Sequence, residues 1–148
     1  MEKTNGGFLI TKIKQIQGRI FERLLAEAGI HEFNGAQGRI LFVLWEQDEV
    51  PIRCLSERTG LAKTTLTGML DRLEAAGHLR RSLDPADRRT VKIALTPKAR
   101  ALKERYDRVS DEMSRIFYRG FTDEEILVFE ESLGKVLKNL VEKENENG

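Results

Sequence analysis

Apolar residues recur at Leu9, Ile13, Ile16, Ile20 and Leu24, three or four apart, which places them on one face of a helix. That helix is predicted over about 8–28, with Gly29 ending it. Asn34 and Gln37 have the spacing of a capping box, opening a second helix over about 34–47 whose Ile40, Leu41, Val43, Leu44 and Trp45 are core-like. Glu46, Asp48 and Glu49 mark a polar turn, and Val50-Pro51-Ile52 predicts a short strand. A short helix then ends at Gly60, although neither Ile52 nor Arg53 is a good cap for its start. The next helix, about Lys63 to Ala76, separates cleanly into two sides. Leu66, Met69, Leu70 and Leu73 share one side, and Thr64, Thr67, Gly68 and Asp71 share the other.

After Gly77 the period changes from helix to strand. Leu79–Leu83 and Thr90–Leu95 each alternate, and Asp84 to Arg89 between them begin with a turn-forming Asp-Pro. Thr96-Pro97 is a hydroxyl cap followed by proline at the first helical position. Beyond it Ala99, Leu102, Tyr106, Val109, Met113 and Ile116 repeat at intervals of 3, 4, 3, 4 and 3, predicting one long helix over about 97–120. Thr122 and Glu125 form a second capping box. It opens a last helix over about 122–143 with Ile126, Phe129, Leu133, Val136 and Leu140 on its stripe.

The expected fold is mainly α with a small β-hairpin wing. A winged helix-turn-helix lobe spans about 34–96, and the long helices 8–28, 97–120 and 122–143 form a dimerisation lobe, all in one domain over 1–148. The dimer follows from the width of the stripes. Phe8, Ile10, Phe21 and Leu25 extend the first helix's apolar face beyond what one neighbour covers. Burying such surface stabilises by ~25 cal/mol per Å2, which favours pairing it with a second copy.

Composition changes this picture in few places. No run approaches the ~20 apolar residues of a membrane span, and the start, MEKTNGG, lacks a signal peptide's apolar stretch. A cytoplasmic location is therefore expected. The net charge of +1 conceals an asymmetry. Residues 53–105 hold 13 Lys/Arg against 6 Asp/Glu, a local +7, while the remainder holds 12 against 18, or −6. Positive charge concentrated on the helix-turn-helix and hairpin is the electrostatic footprint of a nucleic-acid binder.

That footprint gives the polar side of the 63–76 helix a function. Thr64, Thr65, Thr67 and Gly68 are the base-facing candidates, and Lys63 and Arg72 the phosphate candidates. At the hairpin tip, Arg88 and Arg89 suit a narrow, negative minor groove, with Asp87 placed to brace Arg89. Two such helices related by a twofold axis, ~34 Å apart, would read a palindrome in double-stranded DNA.

The segment resembles the DNA-binding lobe of the multiple antibiotic resistance regulator (MarR) family. The resemblance rests on Leu55 with Thr59-Gly60-Leu61, on Thr64 to Leu73 continuing through Asp71-Arg72-Leu73-Glu74, and on Gly77. The most specific part is Asp87-x-Arg89, five residues, then Leu95-Thr96. The flanking helices match the family layout too. Two positions depart from it: Gly68 stands where many relatives carry a long polar residue, and Ala62 occupies the usual cap position.

The resemblance implies a homodimeric repressor, released by a small aromatic or phenolic ligand. Ile16, Ile20, Leu41 and Trp45 are candidates to line its pocket. Two alternatives are a redox-responsive regulator acting through Cys54, beside Arg53 and Arg58, and a winged helix used only for protein contacts. Catalytic residues, cofactors and a metal site are not expected. The sequence shows no phosphate loop or nucleophile elbow. Its two histidines are far apart, His31 in a loop and His78 near DNA backbone or solvent.

Overall fold

The computed structural model describes residues 3–146. Seven helices and three strands follow one another in these residues. They are α1 (Gly6–Glu27), α2 (Gly35–Glu46), β1 (Val50–Pro51), α3 (Ile52–Thr59), α4 (Lys63–Ala75), β2 (Leu79–Leu83), β3 (Val91–Leu95), α5 (Pro97–Arg100), α6 (Lys103–Phe117) and α7 (Asp123–Glu146). The strands form an antiparallel sheet in the order β1-β3-β2, with Val50 opposite Ile93 and Leu79 opposite Leu95. This is a winged helix-turn-helix. The chain divides into two compact units, Met1–Met113 and Ser114–Gly148.

Local chemistry explains most boundaries. Asn34 Oδ1 accepts from the Gln37 N–H at 2.8 Å and Gln37 Oε1 accepts from the Asn34 N–H at 3.1 Å, which completes the α2 capping box. α3 starts from Pro51 without a side-chain cap, and Ala62 provides none for α4. Gly60 and Gly77 both turn left-handed, with φ of +72° and +84°. The turn at Gly77 lets the His78 N–H reach back to the Leu73 carbonyl at 2.9 Å. The lobe's core is Ile40, Leu41, Leu44, Leu55, Leu66, Leu70, Leu73 and Ile93, all fully buried.

Thr96 joins the end of α4 to the start of α5. Its hydroxyl accepts from the Ala99 N–H and donates to the Gly77 carbonyl at 2.6 Å. Lys98 Nζ donates to the Ala76 carbonyl, one of the acceptors that the end of α4 leaves open.

The long helix expected over 97–120 is broken. The Ala99 carbonyl accepts the Trp45 indole N–H and the Leu102 N–H, both at 3.1 Å. The helix tightens there and restarts at Lys103. A side chain inserted into the i→i−4 ladder is an established cause of such a break.

His78 also departs from expectation. It is buried at 1% exposure, against the edge of the Phe33 ring at 5.9 Å, and does not face solvent or a duplex. The tight turn at Gly77 brings it under the lobe. Its basicity falls because burial disfavours the charged ring and Lys98 repels it.

Asp48 closes the sheet. One carboxylate oxygen accepts from the Glu49 and Leu95 N–H groups at 2.8 and 2.9 Å, and the other from Arg100 at 2.6 Å. Partial burial works against the charged form, but Arg100 and the two amides outweigh it and hold the carboxyl below its ordinary range. A depressed folded-state pKa contributes stability that is present above the unfolded value and lost as pH falls through the folded one. Asp48→Ala is expected to cost about 2 kcal/mol at pH 7. Urea unfolding at pH 7 and pH 3 checks this: the difference between variant and parent should shrink at pH 3.

Candidate nucleic-acid interface

α4 buries Leu66, Leu70 and Leu73, and this fixes which side chains face outward. Thr64, Thr65 and Thr67 are exposed. The Thr67 hydroxyl donates to the Lys63 carbonyl at 2.9 Å, so its lone pairs remain open to an outside donor. A Cβ built on Gly68 would meet nothing within 4 Å, so the glycine leaves a flat, open place in the middle of this face. Gly68→Ala is expected to stabilise the lobe by about 0.5–1 kcal/mol, because alanine loses less backbone entropy in a helix. A shift in the urea midpoint would measure it.

Lys63 and Arg72 are exposed, and neither forms an ion pair among the described residues. Asp71 shares the outer side but is engaged by Arg81 at 2.6 Å, and Glu74 by the same guanidinium at 2.8 Å. Arg81 is not among the residues that the sequence pattern singles out. Its only sequence signal was a pair of acids three apart on a helix followed by a hairpin cation.

The wing tip is organised by two aspartates. Asp84 Oδ1 accepts from the Ala86 N–H at 2.9 Å, and the Asp84 N–H donates to the Thr90 carbonyl across the tip. Asp87 Oδ1 accepts from the Arg89 N–H at 3.1 Å and from Arg89 Nε at 3.3 Å, the brace that the two-residue spacing suggested. The Arg89 backbone and side-chain hydrogen bonds hold the Asp87 carboxyl below its usual range. Arg89 is 93% exposed even so, and Arg88 beside it is exposed without an ion pair among the described residues. Lys92 takes up Asp84 at 3.6 Å. The acids of α4 and the wing are thus partnered within the lobe, while Lys63, Arg72 and Arg88 form no ion pair among the described residues.

The other sequence candidates lie elsewhere in the first unit. Leu41 is in the core, Ile20 and Trp45 are half-buried, and Ile16 is exposed. Trp45 packs against Tyr106, with ring centroids 5.1 Å apart and the planes tilted by 52°. Neither the surface cleft at Leu24, Arg105 and Val109 nor the one at Phe121, Val128 and Phe129 is lined by these four. Cys54 is half-buried in α3, and Arg58 pairs with Glu46. Among the described residues no cluster of His, Cys, Asp and Glu could hold a metal ion, and no helix is long and apolar enough to cross a membrane.

Comparison with known proteins places these features in one group. The profile of the MarR family matches residues 33–91, from the turn before α2 to the start of β3. The HTH-type transcriptional regulator TtmR of Methylorubrum extorquens (strain PA1) is 43% identical over 90 residues, 61% of this chain but only 45% of that protein. An uncharacterised HTH-type transcriptional regulator of Bacillus subtilis (strain 168), YsmB, is 36% identical over 100 residues, 68% of each. The chain thus spans about half the length of the first of these relatives and about two thirds of the second. Among solved structures, Bordetella bronchiseptica BpsR, whose DNA binding is regulated by 6-hydroxynicotinic acid, superposes with a TM-score of 0.80 at 26% identity, covering 92% of this chain and 96% of that one. A mutant MarR from E. coli, complexed with operator DNA, gives 0.79 at 25% identity over 93% and 99%.

Proposed function

This chain belongs to the MarR family, and on that premise we propose that it is a transcriptional regulator that binds double-stranded DNA sequence-specifically as a homodimer. The observation that carries this reading is the outer face of α4. Its three exposed threonines and open glycine lie between cations that form no ion pair among the described residues, while the acids of α4 and the wing, Asp71, Glu74, Asp84 and Asp87, are each partnered. Thr64, Thr65, Thr67 and Gly68 meet base edges in the major groove, Lys63 and Arg72 meet phosphates, and Arg88 and Arg89 enter the flanking minor groove. The operator-bound E. coli MarR supports the same use of the same fold.

Homodimerisation is supported by apolar surface that each unit leaves bare. In the first unit, Phe8, Leu9, Ile10 and Ile13 are exposed along α1, and in the second α7 buries no residue at all. A second copy covers these faces, and the twofold axis makes the operator a palindrome. In this reading the protein is a repressor, and a small aromatic ligand releases it from DNA. The regulation of BpsR by 6-hydroxynicotinic acid supports that class of effector.

Titration of duplex DNA at several salt concentrations tests the binding reading. Affinity should fall steeply as salt rises, because each neutralised phosphate releases counterions. Binding that is absent, or indifferent to salt, would overturn it.

A further inference from the structure

Beyond the residues that face the duplex, we propose that Arg81 is a positioning residue for DNA reading, fixing the wing to the recognition helix so that Arg88 and Arg89 reach the groove at a set offset. This rests on the DNA-binding reading and adds a residue that touches no DNA.

Geometry carries the inference. β2 is an edge strand, so every second N–H along it points away from β3. The outward amide of Arg81 donates to Glu74 Oε2 at 3.0 Å, while its own Nε and a terminal nitrogen donate to Glu74 Oε1 at 3.2 and 2.8 Å. The same terminal nitrogen lies 2.6 Å from Asp71 Oδ1. One residue of the wing therefore grips two carboxylates one helical turn apart on α4 through both its backbone and its side chain. Among the described residues, the other hydrogen bonds between the hairpin and the end of α4 lie at the hairpin's base, from Thr96 to the Gly77 carbonyl and from the His78 N–H to the Leu73 carbonyl. Without Arg81, the strand leading to the tip would lose its polar attachment to α4 beyond that base.

Two consequences follow for binding. A wing held in place loses little freedom when its arginines dock, and such preorganisation raises affinity. Asp71 also shares the outer side of α4, where an unpartnered carboxylate would repel phosphates. Arg81 removes that repulsion without itself being on the DNA-facing side of the helix.

The test is a binding cycle on the palindromic duplex that the wild-type protein selects. Arg88→Ala/Arg89→Ala is measured in the wild type and in Arg81→Gln. The wing substitutions should cost on the order of 100-fold in the wild type but about 10-fold in Arg81→Gln, because coupled residues are not additive. Arg81→Gln alone should weaken binding about 10-fold, and Arg81→Lys should recover part of the loss. A merely structural role would not make the wing's contribution depend on Arg81. Equal costs in the two backgrounds would overturn the proposal and leave the DNA reading standing. If circular dichroism shows that Arg81→Gln does not fold, Asp71→Asn/Glu74→Gln replaces it in the same cycle with the same two outcomes. A wild-type protein that selects no duplex would overturn both readings.

Discussion

Arg88→Ala/Arg89→Ala is expected to weaken duplex binding on the order of 100-fold and to flatten its salt dependence. The basis is the contrast between the tip's cations and its acids. Asp84 and Asp87 are both occupied within the hairpin, Asp84 by the Ala86 amide and Lys92, Asp87 by Arg89 and Thr90. Arg88 has no such partner among the described residues, and Arg89 stays almost wholly exposed although Asp87 holds it. Removing them therefore breaks only one exposed ion pair, worth about 0–1 kcal/mol to the fold. Their effect should appear in binding and not in stability. In a dimer the substitution removes four cations from the complex, so the slope of log affinity against log salt should become shallower by up to about 4. Fluorescence anisotropy over a salt series, beside thermal melting, separates the two effects. A melting temperature close to wild type with a much weaker complex is the expected pair of results.

Leu137→Glu/Leu140→Glu is expected to raise the dimer dissociation constant on the order of 1000-fold or more. Both leucines are 63% exposed on α7, and Leu127, Val128, Val136 and Val141 are exposed along the same helix. Burying a leucine fully stabilises by about 1.5–3 kcal/mol. Two positions per chain, four per dimer, thus account for a large part of an association energy, and each glutamate adds a carboxylate that must lose water. The helix itself should persist. Glutamate is a good helix former, and the Thr122–Glu125 capping box at its start is untouched. Sedimentation velocity across a concentration series is expected to show a dimer for the parent and a monomer for the variant. A variant that sediments like the parent would move the dimer interface away from this face of α7.

What could be read in the sequence was the chemistry that acts within a few residues. Asn34 with Gln37, Thr122 with Glu125, Thr96 before Pro97, and Asp87 with Arg89 all form the contacts their spacing suggested. The winged fold, its strands and the exposure of the α4 threonines followed from period and punctuation alone. What could not be read depends on partners far along the chain. The break between α5 and α6 is made by Trp45, 54 residues before the carbonyl it binds, and no proline or glycine marks the place. Asp48 looked like part of a polar turn, yet it reaches Leu95 and Arg100 across the sheet. His78 follows a glycine in a polar stretch, and only the left-handed turn at Gly77 and the nearby Phe33 ring bring it inside. Arg81 was one cation among several until the hairpin folded over α4 and set it against Asp71 and Glu74.

Selection of duplexes from a random pool by the wild-type protein, with the enriched sequences read out, tests sequence-specific reading by a dimer most directly. Enrichment of a palindrome whose half-sites lie about one helical turn, ~34 Å, apart is the predicted result. A pool that emerges without any enriched sequence would contradict it, and would turn attention to α4 and the wing as a surface for another protein.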